Sequence, residues 1–220
     1  MKRILAFVMV LSSLTLVSCS GDDANDDDDV TSIDNLPDAE NIKSTSAYVP
    51  VHDKGRFTLL VGFDKNLVVS SWHTISTDEL LPDEPCGFQL NRLEPDATYY
   101  YTMYVLKGKD SFRSKQIKSF TTKGVSIEFI EPEIGPNNKK ILRLRTIGVE
   151  DDDVPSNLRV CLYGMIGSGI LYQVEGMEYV GDGIWRNERT MSDDAERYQA
   201  KIITYGGRVV AETPEIIWEN

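Results

Sequence analysis

Beyond residue 36, apolar side chains recur at every second position in one short segment after another. Phe57, Leu59, Val61 and Phe63 alternate with Thr58, Leu60 and Gly62, the signature of a half-buried strand. From Cys86 to Leu93, Phe88 and Leu90 fall on one face, Gln89 and Asn91 on the other. Thr98 to Leu106 has four tyrosines in nine residues and the strongest β character in the chain. Lys107 to Asp110 then predicts a turn, and Arg113 to Thr122 a returning partner strand. The pattern resumes past Val125. Leu142 and Leu144 alternate with Arg143 and Arg145; Leu158, Val160 and Leu162 alternate with Arg159, Cys161 and Tyr163. Tyr198, Ala200, Ile202 and Thr204 alternate with Gln199, Lys201, Ile203 and Tyr205, and Gly206-Gly207 predicts a two-residue hairpin loop into Arg208 to Ala211. No 11-residue window after residue 36 has a 3.6-residue period. The expectation is an all-β protein.

Leu93-Glu94-Pro95-Asp96-Ala97-Thr98-Tyr99 resembles the Leu-x-Pro-x-(Thr/Ala)-x-Tyr segment of fibronectin type III domains. The strand after it and the closing Ser119-Phe120-Thr121-Thr122 are similar to that family as found in bacterial lipoproteins. The resemblance covers about residues 31–122. It implies a β-sandwich in which Tyr99 forms a tyrosine corner, its hydroxyl bonded to backbone a few residues upstream, with Leu93 buried. That role is structural and identifies no chemistry. Asp193 to Tyr198 faintly echoes the same corner without its Leu-x-Pro, so residues 124–220 are expected to form a second, divergent immunoglobulin-like sandwich after residues 37–123. The expected fold is therefore two tandem antiparallel β-sandwiches, joined near Lys123-Gly124 by so short a link that they should touch.

The start of the chain follows a different pattern. Met1-Lys2-Arg3 is basic, and Ile4 to Val17 is apolar except for Ser12, Ser13 and Thr15. A bilayer core needs roughly 20 apolar residues, so this layout reads as a secretion signal over residues 1–18 and not a spanning helix. Its ending, Leu16-Val17-Ser18-Cys19, resembles the lipobox of bacterial lipoproteins. The resemblance implies cleavage before Cys19 and acylation of its thiol; the alternative is an ordinary signal with an incidental cysteine. Several acyl chains at about 0.8 kcal/mol per buried CH₂ would anchor the protein stably.

Charge shapes the next segment. Ser20 to Asp29 holds six aspartates and nothing apolar larger than Ala, so residues 19–36 are expected to form an extended, unfolded tether. About 17 residues at 3.5 Å each would reach roughly 60 Å. Acidic runs at this position also resemble the export signals of surface-exposed lipoproteins in some Gram-negative bacteria, which implies outer-membrane, cell-surface localisation. A calcium loop is the competing reading, but neither the Gly nor the distal Glu of an EF-hand is in place. Removing Lys2 and Arg3 with the signal takes the formal charge from -12 to -14. Such an acidic chain argues against nucleic acid as a partner and against docking on anionic headgroups, leaving the acyl anchor as the membrane contact.

Candidate chemistry is sparse. His52 and His73 are the only histidines, and no cluster of His, Cys and carboxylate has zinc-ligand spacing. No Gly-x-Ser-x-Gly elbow accompanies either histidine. Gly164 to Gly169 is rich in glycine but leads into a predicted strand at Ile170 to Glu175 where a phosphate loop needs a helix, so it reads as an interstrand loop. Asp151-Asp152-Asp153 reads as a solvated loop or a calcium ligand set between domains. Export would permit a Cys86–Cys161 disulfide, but the two fall in different expected domains, which favours two buried thiols.

One constellation points to binding. If Tyr99, Tyr101, Met103 and Val105 face the core, Tyr100, Thr102 and Tyr104 face outward, with the two tyrosines roughly 13 Å apart at 3.3 Å per residue. Trp72 has an outward phase and could join them. Such a row could stack sugar rings or hold a protein; it could equally be cross-strand pairing or be covered by the second domain. The expected function is a non-catalytic, lipid-anchored surface module for binding or assembly, with a glycan or protein partner and no cofactor or metal. The alternative is a carbohydrate-active hydrolase using carboxylates that no motif reveals.

Overall fold

The computed structural model describes residues 35–53, 55–76, 86–107, 110–136, 140–149, 157–167, 169–174, 177–187 and 195–217. The readings made above for Cys19, for most of the tether, for Asp151-Asp152-Asp153 and for Asp193-Asp194 lie outside them. Among the described residues there is no α-helix, and the chain forms two β-sandwiches.

The first sandwich uses seven strands: β1 (Ala47–Val51), β2 (Arg56–Gly62), β3 (Ser71–Ser76), β4 (Cys86–Leu90), β5 (Thr98–Lys107), β6 (Asp110–Arg113) and β7 (Lys118–Thr121). β1 and β4 form one antiparallel sheet, and the other has the order β3-β2-β5-β6, with β7 also pairing with β5. Phe57, Leu59, Val61, Tyr101, Met103 and Val105 point from the larger sheet onto Val49, Phe88 and Leu90 of the smaller one. Leu36 is 1 % exposed in this core, so the folded unit begins inside the segment expected to be tether. Tyr101 fixes that entry by donating its hydroxyl to the Pro37 carbonyl at 2.7 Å.

The second sandwich follows the same plan. β8 (Ser126–Ile134), β9 (Lys140–Ile147), β12 (Glu178–Gly181) and β13 (Ile184–Arg186) form a sheet of order β12-β13-β9-β8. β10 (Leu158–Ile166), β11 (Ile170–Val174), β14 (Arg197–Thr204) and β15 (Val209–Glu212) form the other, of order β11-β10-β14-β15, with β16 (Ile216–Ile217) also on β14. Its core is Leu142, Leu144, Leu158, Leu162, Tyr198 and Ile202 around Trp185. The indole N–H of Trp185 donates to Thr146 Oγ1 at 3.2 Å, which satisfies the one polar atom that burying the ring would strand.

Several local expectations are corrected. β2 is covered on both faces: Thr58 and Leu60 are 5 % exposed, while Phe63, past the strand end, is 55 % exposed. Leu93 is half-buried at the edge of the core. The return strand splits into β6 and β7, because the intervening segment folds over β5 and the Gln116 carbonyl accepts the Thr102 hydroxyl at 2.9 Å. Gly164 to Ile166 belong to β10 rather than to a loop. The hairpin after β14 has a three-residue loop: Thr204 and Arg208 close it through a 2.9 Å backbone bond, and Gly207 takes the left-handed conformation at φ 83° that such loops require.

The two sandwiches touch. Arg208 pairs with Glu94, the Arg92 guanidinium lies 5.1 Å from the Tyr205 ring centroid, and Asn157 Nδ2 donates to Thr45 Oγ1 at 3.4 Å. All three contacts join loops at the end of the first sandwich to the second, away from the outer face of the β3-β2-β5-β6 sheet.

Candidate functional site

The outward face of that larger sheet carries the aromatic residues singled out from the sequence. In the β2–β3 register Trp72 lies opposite Leu60, and in the β2–β5 register Tyr104 lies opposite Thr58. Trp72 therefore sits two strands from Tyr104 and one residue pair along. Its ring reaches diagonally across β2 to stack with Tyr104, centroids 6.0 Å apart and planes inclined by 28°. On the opposite side of Tyr104, Arg113 of β6 faces it in register and holds its guanidinium carbon 5.8 Å from the ring centroid. The result is a line across the sheet, Trp72–Tyr104–Arg113. Leu60 and Thr58 are buried below it, and the Thr58 and Thr74 hydroxyls bond each other at 3.0 Å.

Trp72 is 64 % exposed, an unusual cost for so large an apolar ring. Tyr104 is half-buried and Arg113 exposed. Tyr100 does not join them. The intervening Thr102 is fully buried beneath the Gln116 segment, and Tyr100 lies opposite Gly62. A Cβ on Gly62 would meet the Val69 carbonyl oxygen at 2.4 Å, so the loop after β2 packs directly against that glycine. The ring contact on this face is Trp72–Tyr104, with Tyr100 two outward positions along β5 from Tyr104. Arg113 is the member that alternation alone missed: its place beside Tyr104 depends on where β6 pairs with β5.

The inner residues behave as the sandwich requires. Tyr99 and Tyr101 lose water around their hydroxyls, and burial pushes both phenols up to about 12. His73 points to the core side of β3, with Nε2 3.4 Å from Ser71 Oγ, and burial lowers its pKa from 6.5. His52 is exposed in the loop after β1. Cys86 and Cys161 are not joined by a disulfide, and Cys86 is half-buried rather than buried. Burial raises the Cys161 pKa, which suppresses its thiolate. Among the described residues no three His, Cys, Asp or Glu side chains are grouped to hold a metal, and no helix is long and apolar enough to cross a membrane.

No protein-family model matches the chain, and no curated protein matches it. Among solved structures, it is similar to a two-domain fibronectin type III segment of chicken tenascin, at 15 % identity and a TM-score of 0.29, covering 85 % of this chain and 98 % of that one. It is also similar to the FN1–FN3 domains of chicken CNTN1, at 12 % identity and a TM-score of 0.30, covering 82 % of this chain and 62 % of that one.

Proposed function

We propose that the protein is exported, acylated at Cys19 and held at the outer-membrane surface as a non-catalytic binding or assembly module. Its first sandwich contacts the ligand through Trp72 and Tyr104, with Tyr100 outside the central contact. The ligand is a glycan or a surface protein, and the acidity of the chain argues against nucleic acid. The observation that carries this reading is the exposure of Trp72: a ring stacked on Tyr104 and still 64 % open to solvent keeps apolar surface that a ligand can cover. The Leu16-Val17-Ser18-Cys19 sequence and the acidic run after it support the anchor.

Two measurements test the proposal. Mass spectrometry of the native protein should find an acylated Cys19 as the N-terminus, and a retained Met1 or a cut elsewhere would remove the anchor from the reading. Binding of the mature protein to a glycan array and to surface-protein extracts, each hit also assayed for hydrolysis, should show retention without turnover that Trp72→Ala abolishes. Turnover of a bound glycan would replace the binding module with a hydrolase.

A further inference from the structure

The charge of this face runs against that of the whole chain. The protein carries 35 acidic and 23 basic residues. Yet on β2, β3, β5, β6 and β7, none of the described positions that share the outward phase of Trp72 and Tyr104 is Asp or Glu. Two of them, Arg56 and Arg113, are arginine, both exposed and neither in an ion pair among the described residues. Arg56 stands one outward position along β2 from Thr58, the residue opposite Tyr104. That places it roughly 7 Å further along the strand direction. Arg113 is held against the Tyr104 ring, which orients its planar donor fork before any ligand arrives.

Gln116 covers the face at Thr102, and the loop after β2 covers it at Gly62. Between them lies a strip in which one exposed aromatic ring, Trp72, stands near two arginines, a combination suited to a sugar ring that carries a carboxylate. Resting on the reading of Trp72 and Tyr104 as a ligand contact, we propose that this strip binds an anionic polysaccharide of the uronate type. The apolar face of a sugar ring stacks on the open side of Trp72, beside the edge of Tyr104, and its carboxylates reach Arg113 and Arg56. A neutral glycan would use the aromatic pair and leave both arginines without a role.

The test is a titration of the full mature protein with polygalacturonate and with its fully methyl-esterified form, which keeps the rings and removes the charge. The acid form should bind about five- to tenfold more tightly at low ionic strength, with the gap closing as salt screens the exposed pairs. Arg113→Gln and Arg56→Gln should each weaken the acid form about two- to fivefold and leave the ester unchanged. Trp72→Ala should abolish binding of both forms while circular dichroism stays native. Equal affinity for the two forms overturns the charge assignment and leaves the aromatic contact standing. Binding of neither form, with a protein ligand still lost in Trp72→Ala, overturns the polysaccharide in the same way. Polygalacturonate binding that survives Trp72→Ala overturns the aromatic contact itself.

Discussion

The backbone amide of Glu94 donates to the Tyr99 hydroxyl at 2.8 Å, closing the loop between β4 and β5 onto the core. Tyr99 is held in turn by Phe120, stacked at 5.5 Å, and by Phe63 at 4.6 Å. The same Glu94 turns its carboxylate to Arg208 of the second sandwich. One residue thus links the corner of the first fold to the contact with the next.

Replacing Tyr99→Phe removes the acceptor and leaves the Glu94 amide without its partner, while the ring stays in place. The expected loss is about 1–3 kcal/mol, read as a lower urea midpoint with an unchanged slope. No loss would mean that water satisfies the amide and that the corner contributes little.

The Glu94–Arg208 pair is partly open to solvent, with side-chain exposures of 24 % and 54 %. A double-mutant cycle with Glu94→Gln and Arg208→Gln should therefore give a coupling of about 1 kcal/mol or less. A much larger coupling would mean that this pair, and not the short link at Lys123-Gly124, determines how the sandwiches sit together.

Exposed and buried positions of the first sandwich should separate cleanly. Leu59, at 0 % exposure, should cost about 2–5 kcal/mol when changed to Ala. Leu93→Ala, at the half-buried edge, should fall below that range. Trp72→Ala loses only an aromatic pair, about 0.5–1.5 kcal/mol. Thermal or chemical denaturation of the three variants checks the order, and a Trp72→Ala loss matching that of Leu59→Ala would make Trp72 a core residue.

His73 gives the fold a pH dependence. Burial lowers its pKa in the folded state below the unfolded value of 6.5, so the unfolded chain takes up the proton first. His73 therefore costs no stability above pH 6.5, and stability declines as pH falls from there towards the folded pKa. His73→Gln should flatten that part of the stability curve. An unchanged slope between pH 7 and pH 5 would assign the dependence to other groups.

Much of this was written locally. The alternation of Tyr198, Ala200, Ile202 and Thr204 sends every second side chain inward, and β14 buries all four. The spacing of Leu93, Pro95 and Tyr99 specified a corner whose bond spans five residues, short enough for neighbouring sequence to encode. Alternation also set the outward phase of Trp72, Tyr100 and Tyr104, because the period of a strand is a property of its own backbone. What a strand cannot encode alone is which strands lie beside it and what crosses its outer face. Whether Tyr104 meets Tyr100, four residues along its own strand, or Trp72, two strands away, depended on register across β2. Whether β2 was half-buried depended on what lies over its outer face, where Leu60, opposite Trp72, is 5 % exposed. Arg113 reached Tyr104 through the register of the β5–β6 hairpin, and Leu36 joined the core where Tyr101 donates to the Pro37 carbonyl from 64 residues away. Sequence by itself determined the strands and the directions of their side chains; pairing between distant strands decided which of those side chains came together, since such contacts arise only when the sandwich closes.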